Sequence, residues 1–300
     1  MNDSGRVQSI RQRLLNMAKA QSETFDTMLL RYGMERLLYR ISVSRYRDQF
    51  LLKGALLFSL WYSVPHRPTR DMDLLGFGPS DTKTLEMKFR DICSIEADDG
   101  LVFDQSSVQG GEIRKNSGYQ GVRIKLTATL GTARIPFQID VGFGDAVVPG
   151  PERITYPVLL DHPSPNLLVY PIYAVIAEKF NATVQLGMEN SRVKDLFDLW
   201  FIFESTPVDG APLVEAVSAT FQRRSTPIGR ETPAPFTAAY QNDPQKHKQW
   251  LAFLNKNRLQ VTSDFHAILR DLERALMPAY AHCLSGEPFG KKWVPATGWV

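Results

Sequence analysis

The sequence predicts an α+β fold with a mixed front half and a helical back half. Apolar residues recur at helical spacing through residues 6–48. Residues 121–129 and 134–143 instead alternate apolar with polar side chains, which is typical of strands with one buried face. From residue 170 onward the spacing is again helical. We therefore expect an N-terminal domain at 1–165 and a C-terminal helical domain at 166–300.

The front half is expected to form a sheet flanked by helices. Gly131 separates the two alternating segments and predicts a β-hairpin between them. The other predicted elements are helices at 25–42, 55–62 and 81–98, a short apolar run at 50–52 and a strand at 71–75. The glycines after residue 75 end that strand.

The back half is expected to contain helices joined by short connections. One helical pattern runs from 170 to 203, and further helices are predicted at 211–224, 245–255 and 263–276. Residues 225–244 are rich in proline and threonine and are predicted to form a loop.

Composition excludes some classes of protein. Of the 300 residues, 43% are hydrophobic and 22% charged, as in an ordinary globular protein. No apolar run approaches the roughly 18–20 residues that cross a membrane, and the first twenty residues do not resemble a signal peptide. We expect a cytoplasmic protein with no membrane partner. The net charge of +3 permits a nucleic-acid partner without requiring one.

Two aspartates on the predicted strand at 71–75 are the first sign of a site. Asp71 and Asp73 are two residues apart, so their side chains point to the same face of a strand. Two neighbouring anions repel each other unless a cation lies between them, and magnesium favours such carboxylates together with substrate phosphates. The same spacing also occurs in turns and on solvated faces.

A glycine turn and a third aspartate strengthen the hypothesis of a metal site. Gly54 ends an apolar run where a helix is predicted to begin, and such a turn offers backbone N–H groups to a phosphate. Asp140 lies near the end of the second alternating strand, on the face opposite Ile139 and Val141. Three aspartates of this kind can hold two metal ions, although Asp140 alone could be a solvated residue at a strand end.

These motifs resemble the AbiEii/AbiGii family of toxins, within the nucleotidyltransferase superfamily of polymerase β. The resemblance covers about residues 50–203. It is carried by Asp140 and by four motifs in order: Lys53-Gly54, Arg67-Pro68-Thr69-Arg70-Asp71-Met72-Asp73, Glu178-Lys179 and Arg192-Val193-Lys194-Asp195-Leu196-Phe197-Asp198. Ala55 departs from the family pattern, which has glycine or serine at that position.

The resemblance implies a polymerase-β-type mixed sheet, a helical domain that closes the active-site cleft, and an enzyme that moves a nucleoside monophosphate from a nucleoside triphosphate to an RNA acceptor. The acceptor implied is the 3′ end of tRNA, whose modification would block translation. Magnesium, or manganese in its place, is the implied cofactor, and a cognate antitoxin the implied partner of a monomeric toxin. The implied metal ligands are Asp71, Asp73 and Asp140; the implied catalytic set adds Lys179 and Asp195; and the implied nucleotide contacts are Lys53, Gly54, Ala55, Arg67, Thr69 and Lys179.

The helical motifs also allow structural interpretations. Lys179 lies in the inward stripe of its predicted helix, so its amine must reach the edge of the helix or find an anion. Asp195 and Asp198 lie on an otherwise apolar helix and must be paired. An ion-pair network that fixes this helix and a direct role in catalysis remain equally open. Arg67 could contact phosphate, and Thr69 could orient the turn by hydrogen bonding. Either could instead be an ordinary loop residue.

Two other functions fit the same residues. One is transfer to a small molecule, as antibiotic nucleotidyltransferases do; the other is a nucleotide-binding regulator without transfer, which Ala55 keeps open. The RNA contacts that we considered, against the alternative of a solvated surface, are Arg45, Tyr46, Arg47, Arg223, Arg224, Lys246, Lys248 and Trp250.

Overall fold

A computed structural model of the chain describes residues 3–62, 67–114 and 120–300. The chain divides into two compact units. The first unit comprises Met1–Gly144 and Pro151–Tyr170, and the second comprises Asp145–Gly150 and Pro171–Val300.

The first unit is built on a mixed sheet. Its helices are α1 (Asp3–Ala20), α2 (Phe25–Val43), α3 (Phe58–Trp61) and α4 (Thr82–Cys93). Its strands are β1 (Phe50–Lys53), β2 (Asp71–Gly76), β3 (Leu101–Arg114), β4 (Gln120–Leu130), β5 (Ala133–Phe143), β6 (Glu152–Thr155) and β7 (Asn166–Val169). These seven described strands lie in the order β3-β4-β5-β2-β1-β7-β6. β2 is parallel to β5 and β1 to β7, while the remaining neighbours are antiparallel.

One face of this sheet forms the core of the first unit. The alternating residues Met72 and Leu74 of β2 and Ile139 and Val141 of β5 are almost fully buried. Helix α2 packs against β5 at Gly33, where an added Cβ would lie 2.6 Å from the Phe137 ring. A larger residue at this position would push the helix away from the sheet.

A buried ion cluster fixes α2 to the segment before β3. Asp99 is fully buried and accepts hydrogen bonds from Arg36 Nε at 3.0 Å and from Arg40 Nη1 at 2.7 Å. The two arginines are one helical turn apart and present their side chains on the same side of α2. Because all three groups are buried, losing one would leave uncompensated charge in the core.

The second unit is mainly helical. Its elements are α5 (Ile172–Leu186), α6 (Val193–Ser205), α7 (Gly210–Arg223), α8 (Ala238–Gln241), α9 (Pro244–Asn257) and α10 (Phe265–Ser285), with the short strands β8 (Val208–Asp209), β9 (Lys292–Val294) and β10 (Gly298–Trp299). Phe180 of α5, Phe221 of α7 and Tyr280 of α10 meet in its core, with ring centroids 5.6–5.9 Å apart. The predicted fold class, a mixed sheet flanked by helices with a helical C-terminal region, is confirmed.

Several elements differ from the sequence prediction in detail. The helix expected at 170–203 is two helices, because Gly187 takes a positive φ of 50° and ends α5. Helix α10 continues past Pro278 to Ser285, since Ala279 and Tyr280 extend its buried stripe. The predicted hairpin at Gly131 is confirmed, with a φ of 61° at that residue.

Membrane spans and the two cysteines can also be examined in the structure. None of the helices in the described residues is both long and apolar enough to span a bilayer. Cys93 is buried, and burial raises the pKa of its thiol to about 12. Cys283 is half-buried, and both cysteines are free thiols.

Candidate active site

Strand β2 presents its two aspartates on one face, as the alternation predicted. Met72 and Leu74 point into the core with 1% of their surface exposed, whereas Asp71 is exposed and Asp73 half-buried. The carboxylates therefore stand on the face of the sheet opposite the packed core.

Asp140 of β5 lies on the same face, next to Asp73. The two strands are parallel, and Asp73 is the direct register partner of Asp140. Neighbouring strands are about 4.8 Å apart, so the two carboxylates are close enough to share one small divalent cation. Magnesium favours a small number of carboxylates together with substrate phosphates.

The row of charged residues extends one strand further on each side. Lys53 of β1 is the register partner of Asp73, and Arg123 of β4 is the register partner of Asp140. Across β1, β2, β5 and β4, the row therefore carries a lysine, two aspartates and an arginine. The Lys53 ammonium also lies 5.3 Å from the centroid of the Tyr170 ring.

Arg123 makes a bidentate ion pair with Asp140. Its Nε donates to Oδ1 at 2.8 Å and its Nη2 donates to Oδ2 at 2.7 Å. This hydrogen bond raises the pKa of the guanidinium, and the charges of Asp140, Asp71 and Asp73 raise it further against the opposing effect of burial. Arg123 was not among the residues that the sequence singled out. Counting seven residues back from Leu130 and seven forward from Ala133, through the predicted hairpin, would have paired it with Asp140.

The glycine turn lies directly against the aspartates. Gly54 has a φ of 74° and begins a short 3₁₀ turn, Gly54–Leu57, after β1. A Cβ at this position would lie 2.9 Å from both Cβ and Cγ of Asp73 and would overlap its Oδ2. Ala55 follows within the turn and is half-buried.

The residues before β2 make local contacts. Thr69 Oγ1 donates to the backbone oxygen of Asp71 at 3.3 Å, which fits the predicted role of orienting this turn. Arg67 Nη1 donates to the backbone oxygen of Pro68 at 3.4 Å. Phosphate binding by either residue stays a prediction.

Lys179 of the second unit binds two aspartates of α6. Its Nζ donates to Asp195 Oδ1 at 2.9 Å and to Asp198 Oδ2 at 2.6 Å. Arg192 Nε lies 2.8 Å from Asp195 Oδ2. Burial by itself would raise the pKa of Asp195, but the charges of Lys179 and Arg192 outweigh it and hold that pKa below its usual value. Lys179 has therefore found the anion that its inward position required.

A second arginine network lies beside Lys179. Arg224, which follows α7, places Nη2 3.0 Å from Oδ1 of Asp145 and 3.3 Å from Oε2 of Glu178. The side chain of Asp145 is 2% exposed. Glu178 and Lys179, adjacent in sequence, thus each join an ion pair to another part of the second unit.

Several residues considered as RNA contacts are not on the surface, which corrects that interpretation. Trp250 is 2% exposed and packs on Phe197 and Phe265, so it cannot stack on a base. Lys246 is 5% exposed and donates to the backbone oxygen of Asn190 at 3.0 Å. Lys246 and Trp250 are the buried residues of α9 and lie four residues apart, on one side of the helix. Charge and aromatic content along the chain do not show which side of a helix packs inward.

The three carboxylates fit a magnesium ion in their placement but not in their present side-chain orientation. Among the residues that the structure describes, no three His, Cys, Asp or Glu side chains converge as metal ligands. Both oxygens of Asp140 are instead hydrogen-bonded to Arg123. A cation at Asp71 and Asp73 would therefore gain Asp140 as a ligand only after that carboxylate turns.

Comparison with known proteins places the chain in a family. The family model described as "Nucleotidyl transferase AbiEii toxin, Type IV TA system" matches residues 36–277. That range includes the glycine turn, the three aspartates and the Lys179 network. The chain therefore belongs to the AbiEii family of nucleotidyltransferase toxins of type IV toxin–antitoxin systems, a family that implies an antitoxin partner.

Two solved structures from Helicobacter pylori were also matched. The crystal structure of JHP933 is 12% identical, with a TM-score of 0.48 over 88% of this chain and 95% of that one. A proposed nucleotidyltransferase is 13% identical, with a TM-score of 0.48 over 88% of this chain and 99% of that one. No curated protein sequence matches the chain.

Proposed function

We propose that this protein transfers a nucleoside monophosphate from a nucleoside triphosphate to an RNA acceptor. The observation that carries the proposal is the placement of Asp71, Asp73 and Asp140 on one face of two adjacent strands. The close packing of Gly54 on Asp73 supports it, since such a turn brings backbone donors next to the carboxylates.

In this proposal the carboxylates hold magnesium, or manganese in its place. Asp71 and Asp73 bind the cation and Asp140 completes the site. The bound cation supplies positive charge to the triphosphate and to the attacking hydroxyl. An oxygen of Asp140 accepts the proton of that hydroxyl. A bond forms between the acceptor oxygen and the α-phosphorus, the bond from the α-phosphorus to its bridging oxygen breaks, and pyrophosphate leaves.

The nucleotide contacts are assigned to the surroundings of the glycine turn. Backbone N–H groups at Gly54 and Ala55 donate to phosphate oxygens, and Lys53 adds a cation one residue earlier. Arg67 and Thr69 lie on the half-exposed segment that leads into β2. We assign Lys179 to binding of the triphosphate and Asp195 to positioning of Lys179. Their buried ion pair holds the Lys179 ammonium in one place.

The acceptor we propose is the 3′ end of tRNA. Membership of a toxin family supports this choice, because a nucleotide added to that end would block aminoacylation and hence translation. We place the reaction in the cytoplasm and expect a monomer restrained by its antitoxin partner. Light scattering at micromolar concentration tests the monomer; a mass near 67.8 kDa, twice the 33.9 kDa of the chain, would contradict it.

The test incubates the protein with magnesium, total tRNA and each α-labelled triphosphate in separate reactions. The matched variants are Asp71→Asn, which removes one proposed ligand, and Asp104→Asn, which removes an exposed carboxylate of β3. We expect label in tRNA from the wild type and from Asp104→Asn, and a loss of at least about a hundredfold in Asp71→Asn.

Other outcomes distinguish the alternatives. Label in a small molecule but never in RNA would favour an antibiotic-type nucleotidyltransferase. Binding of a triphosphate without pyrophosphate release would favour a non-catalytic regulator. Equal labelling by the wild type and Asp71→Asn would contradict the assignment of the site.

A further inference from the structure

The ion pair between Arg123 and Asp140 occupies one of the three proposed metal ligands. Both carboxylate oxygens accept a hydrogen bond from the guanidinium, at 2.8 and 2.7 Å. Asp140 faces Arg123 on β4 and Asp73 on β2, because the two are its register partners on either side. The Asp140 carboxylate thus lies between the Arg123 guanidinium and the position proposed for the magnesium ion.

The fixed charge relieves a repulsion that the carboxylates would otherwise suffer. Three aspartates on one face of two adjacent strands repel one another when no metal is bound. Arg123 is the register neighbour of only one of them, yet the charges of Asp71 and Asp73 also act on its guanidinium. The arginine therefore stabilises the site in its metal-free form.

We propose that Arg123 is a positioning residue that neutralises Asp140 in the metal-free site and releases it when magnesium binds. This inference rests on the proposed function, because it takes Asp71, Asp73 and Asp140 as the metal ligands. Release turns Asp140 toward Asp73 and completes a three-carboxylate site that the described side chains do not form while Arg123 holds Asp140.

The exposure of the ion pair makes release feasible. The side chain of Arg123 is 40% exposed and that of Asp140 is 23% exposed. An ion pair at this exposure is weak, because water screens it. A divalent cation beside three carboxylates gains more electrostatic interaction energy. Exchange of one cation for the other is therefore favourable once magnesium is present.

The neighbouring strand has room for the released side chain. Across from Arg123 on β3 lies Gly111, which presents no side chain. An added Cβ at Gly111 would meet no heavy atom of the residues that the structure describes within 4 Å. No side chain at its own register position on β3 therefore blocks a movement of the guanidinium toward that strand.

Manganese binding followed by electron paramagnetic resonance tests the proposal, in the full chain without nucleotide. The variants are Arg123→Gln, Arg123→Lys, Asp73→Asn and the control Lys125→Gln. Lys125 is exposed and lies two residues from Arg123 on the same face of β4, so its loss removes an equal charge without touching Asp140. We expect Arg123→Gln to bind manganese about fivefold more tightly than Lys125→Gln, and Arg123→Lys to lie between them.

A second readout observes the wild-type arginine directly. In the metal-free protein the Arg123 Nε–H should exchange slowly with water in ¹⁵N NMR spectra, since it donates to Asp140. Saturating magnesium should increase that exchange at least about threefold if the hydrogen bond is lost. Unchanged exchange at saturation would overturn the release, even if the enzyme is active.

The outcomes separate this inference from the proposed function. If Asp73→Asn abolishes manganese binding while Arg123→Gln and Lys125→Gln bind alike, the metal site stands and the role of Arg123 is overturned. If Asp73→Asn binds manganese as the wild type does, the proposed metal site is overturned and the inference fails with it.

Discussion

Gly54 and Asp73 lie so close together that the turn after β1 leaves no room for a side chain. A Cβ at position 54 would stand 2.9 Å from Cβ and Cγ of Asp73, and the backbone there has a φ of 74°. Both the conformation and the close approach therefore require glycine. This contact links the turn that we assign to phosphate binding with the carboxylate that we assign to the metal.

Gly54→Ala should destabilise the protein and impair transfer. The positive φ alone costs about 1 kcal/mol for alanine, and the overlap with Asp73 adds to it. Displacing the carboxylate by about 1 Å should lower transfer by roughly a hundredfold. Urea denaturation measures the first effect, and incorporation of α-labelled nucleotide measures the second.

Gly78→Ala is the matched control for this substitution. Gly78 also has a positive φ, of 87°, but a Cβ there would meet no atom of the described part of the chain within 4 Å. We expect it to lose about 1 kcal/mol of unfolding free energy and to keep its activity. Equal activity in the two variants would contradict the coupling of the turn to Asp73.

Lys179→Met should destabilise the second unit. The substitution leaves Asp195 and Asp198 buried, at 3% and 0% exposure, with one of their counterions gone. Removing one partner of such a pair costs about 3–5 kcal/mol. The control Lys194→Met changes an exposed lysine of α6, the helix that carries both aspartates, and should change the unfolding free energy by less than about 0.5 kcal/mol. Similar denaturation midpoints for both variants would show that the network does not stabilise the fold.

Asp195→Asn separates the two roles left open by the sequence. The charges of Lys179 and Arg192 hold the pKa of Asp195 below its usual value, although burial opposes them. The ionised carboxylate therefore stabilises the fold above that usual pKa, and this stabilisation is lost as the pH falls through the lowered pKa. Asn at this position should remove that acid-dependent part of the unfolding free energy. If transfer at pH 7.5 is lost while the variant stays fully folded, we assign Asp195 to the active site; full activity would make it structural only.

Glu35 should make the first unit less stable as the pH rises from about 4.5 to 7. Burial raises the pKa of this carboxyl to about 7, against the backbone hydrogen bond from Leu159 and the charge of Arg36, which lower it. A raised pKa means that the folded state binds more protons than the unfolded state in this window. The contribution of Glu35 to the free energy of unfolding is therefore fully present below its unfolded-state pKa. It is lost, by roughly 3 kcal/mol, as the pH rises to its folded-state pKa.

Glu35→Gln should flatten this decline. Burial lowers the pKa of nearby His162, which acts in the opposite direction, so the comparison with wild type isolates Glu35. The exposed Glu112→Gln serves as a control and should follow the wild type. Urea denaturation at pH 5, 6, 7 and 8 provides the comparison; a parallel pH dependence in Glu35→Gln and wild type would refute the role of Glu35.

The sequence was most informative where spacing alone determines geometry. Asp71 and Asp73 had to share a face once they lay on a strand, and Asp140 had to lie opposite Ile139 and Val141. The pairing of β2 with β5 brings these aspartates together and joins residues 67 positions apart, such as Asp73 and Asp140. Alternation along one strand does not specify such a partner. Family motifs supplied that link.

Irregular strands were missed for a physical reason. Strand β3 shifts register between Asp104 and Gln109 and carries adjacent glycines, so its alternation is interrupted. Strands β6 and β7 are four residues each, too short to show a period. The burial of Lys246 and Trp250 depends on helix packing in three dimensions, which charge and aromatic content along the chain do not reveal.

The most direct test of the account is a crystal structure with manganese and a non-hydrolysable triphosphate, using anomalous diffraction to locate the metal. We predict a manganese peak about 2.1–2.3 Å from carboxylate oxygens of Asp71 and Asp73 and at the triphosphate, with Asp140 turned away from Arg123. A triphosphate bound without metal at these aspartates, or manganese bound only elsewhere, would contradict the central claim.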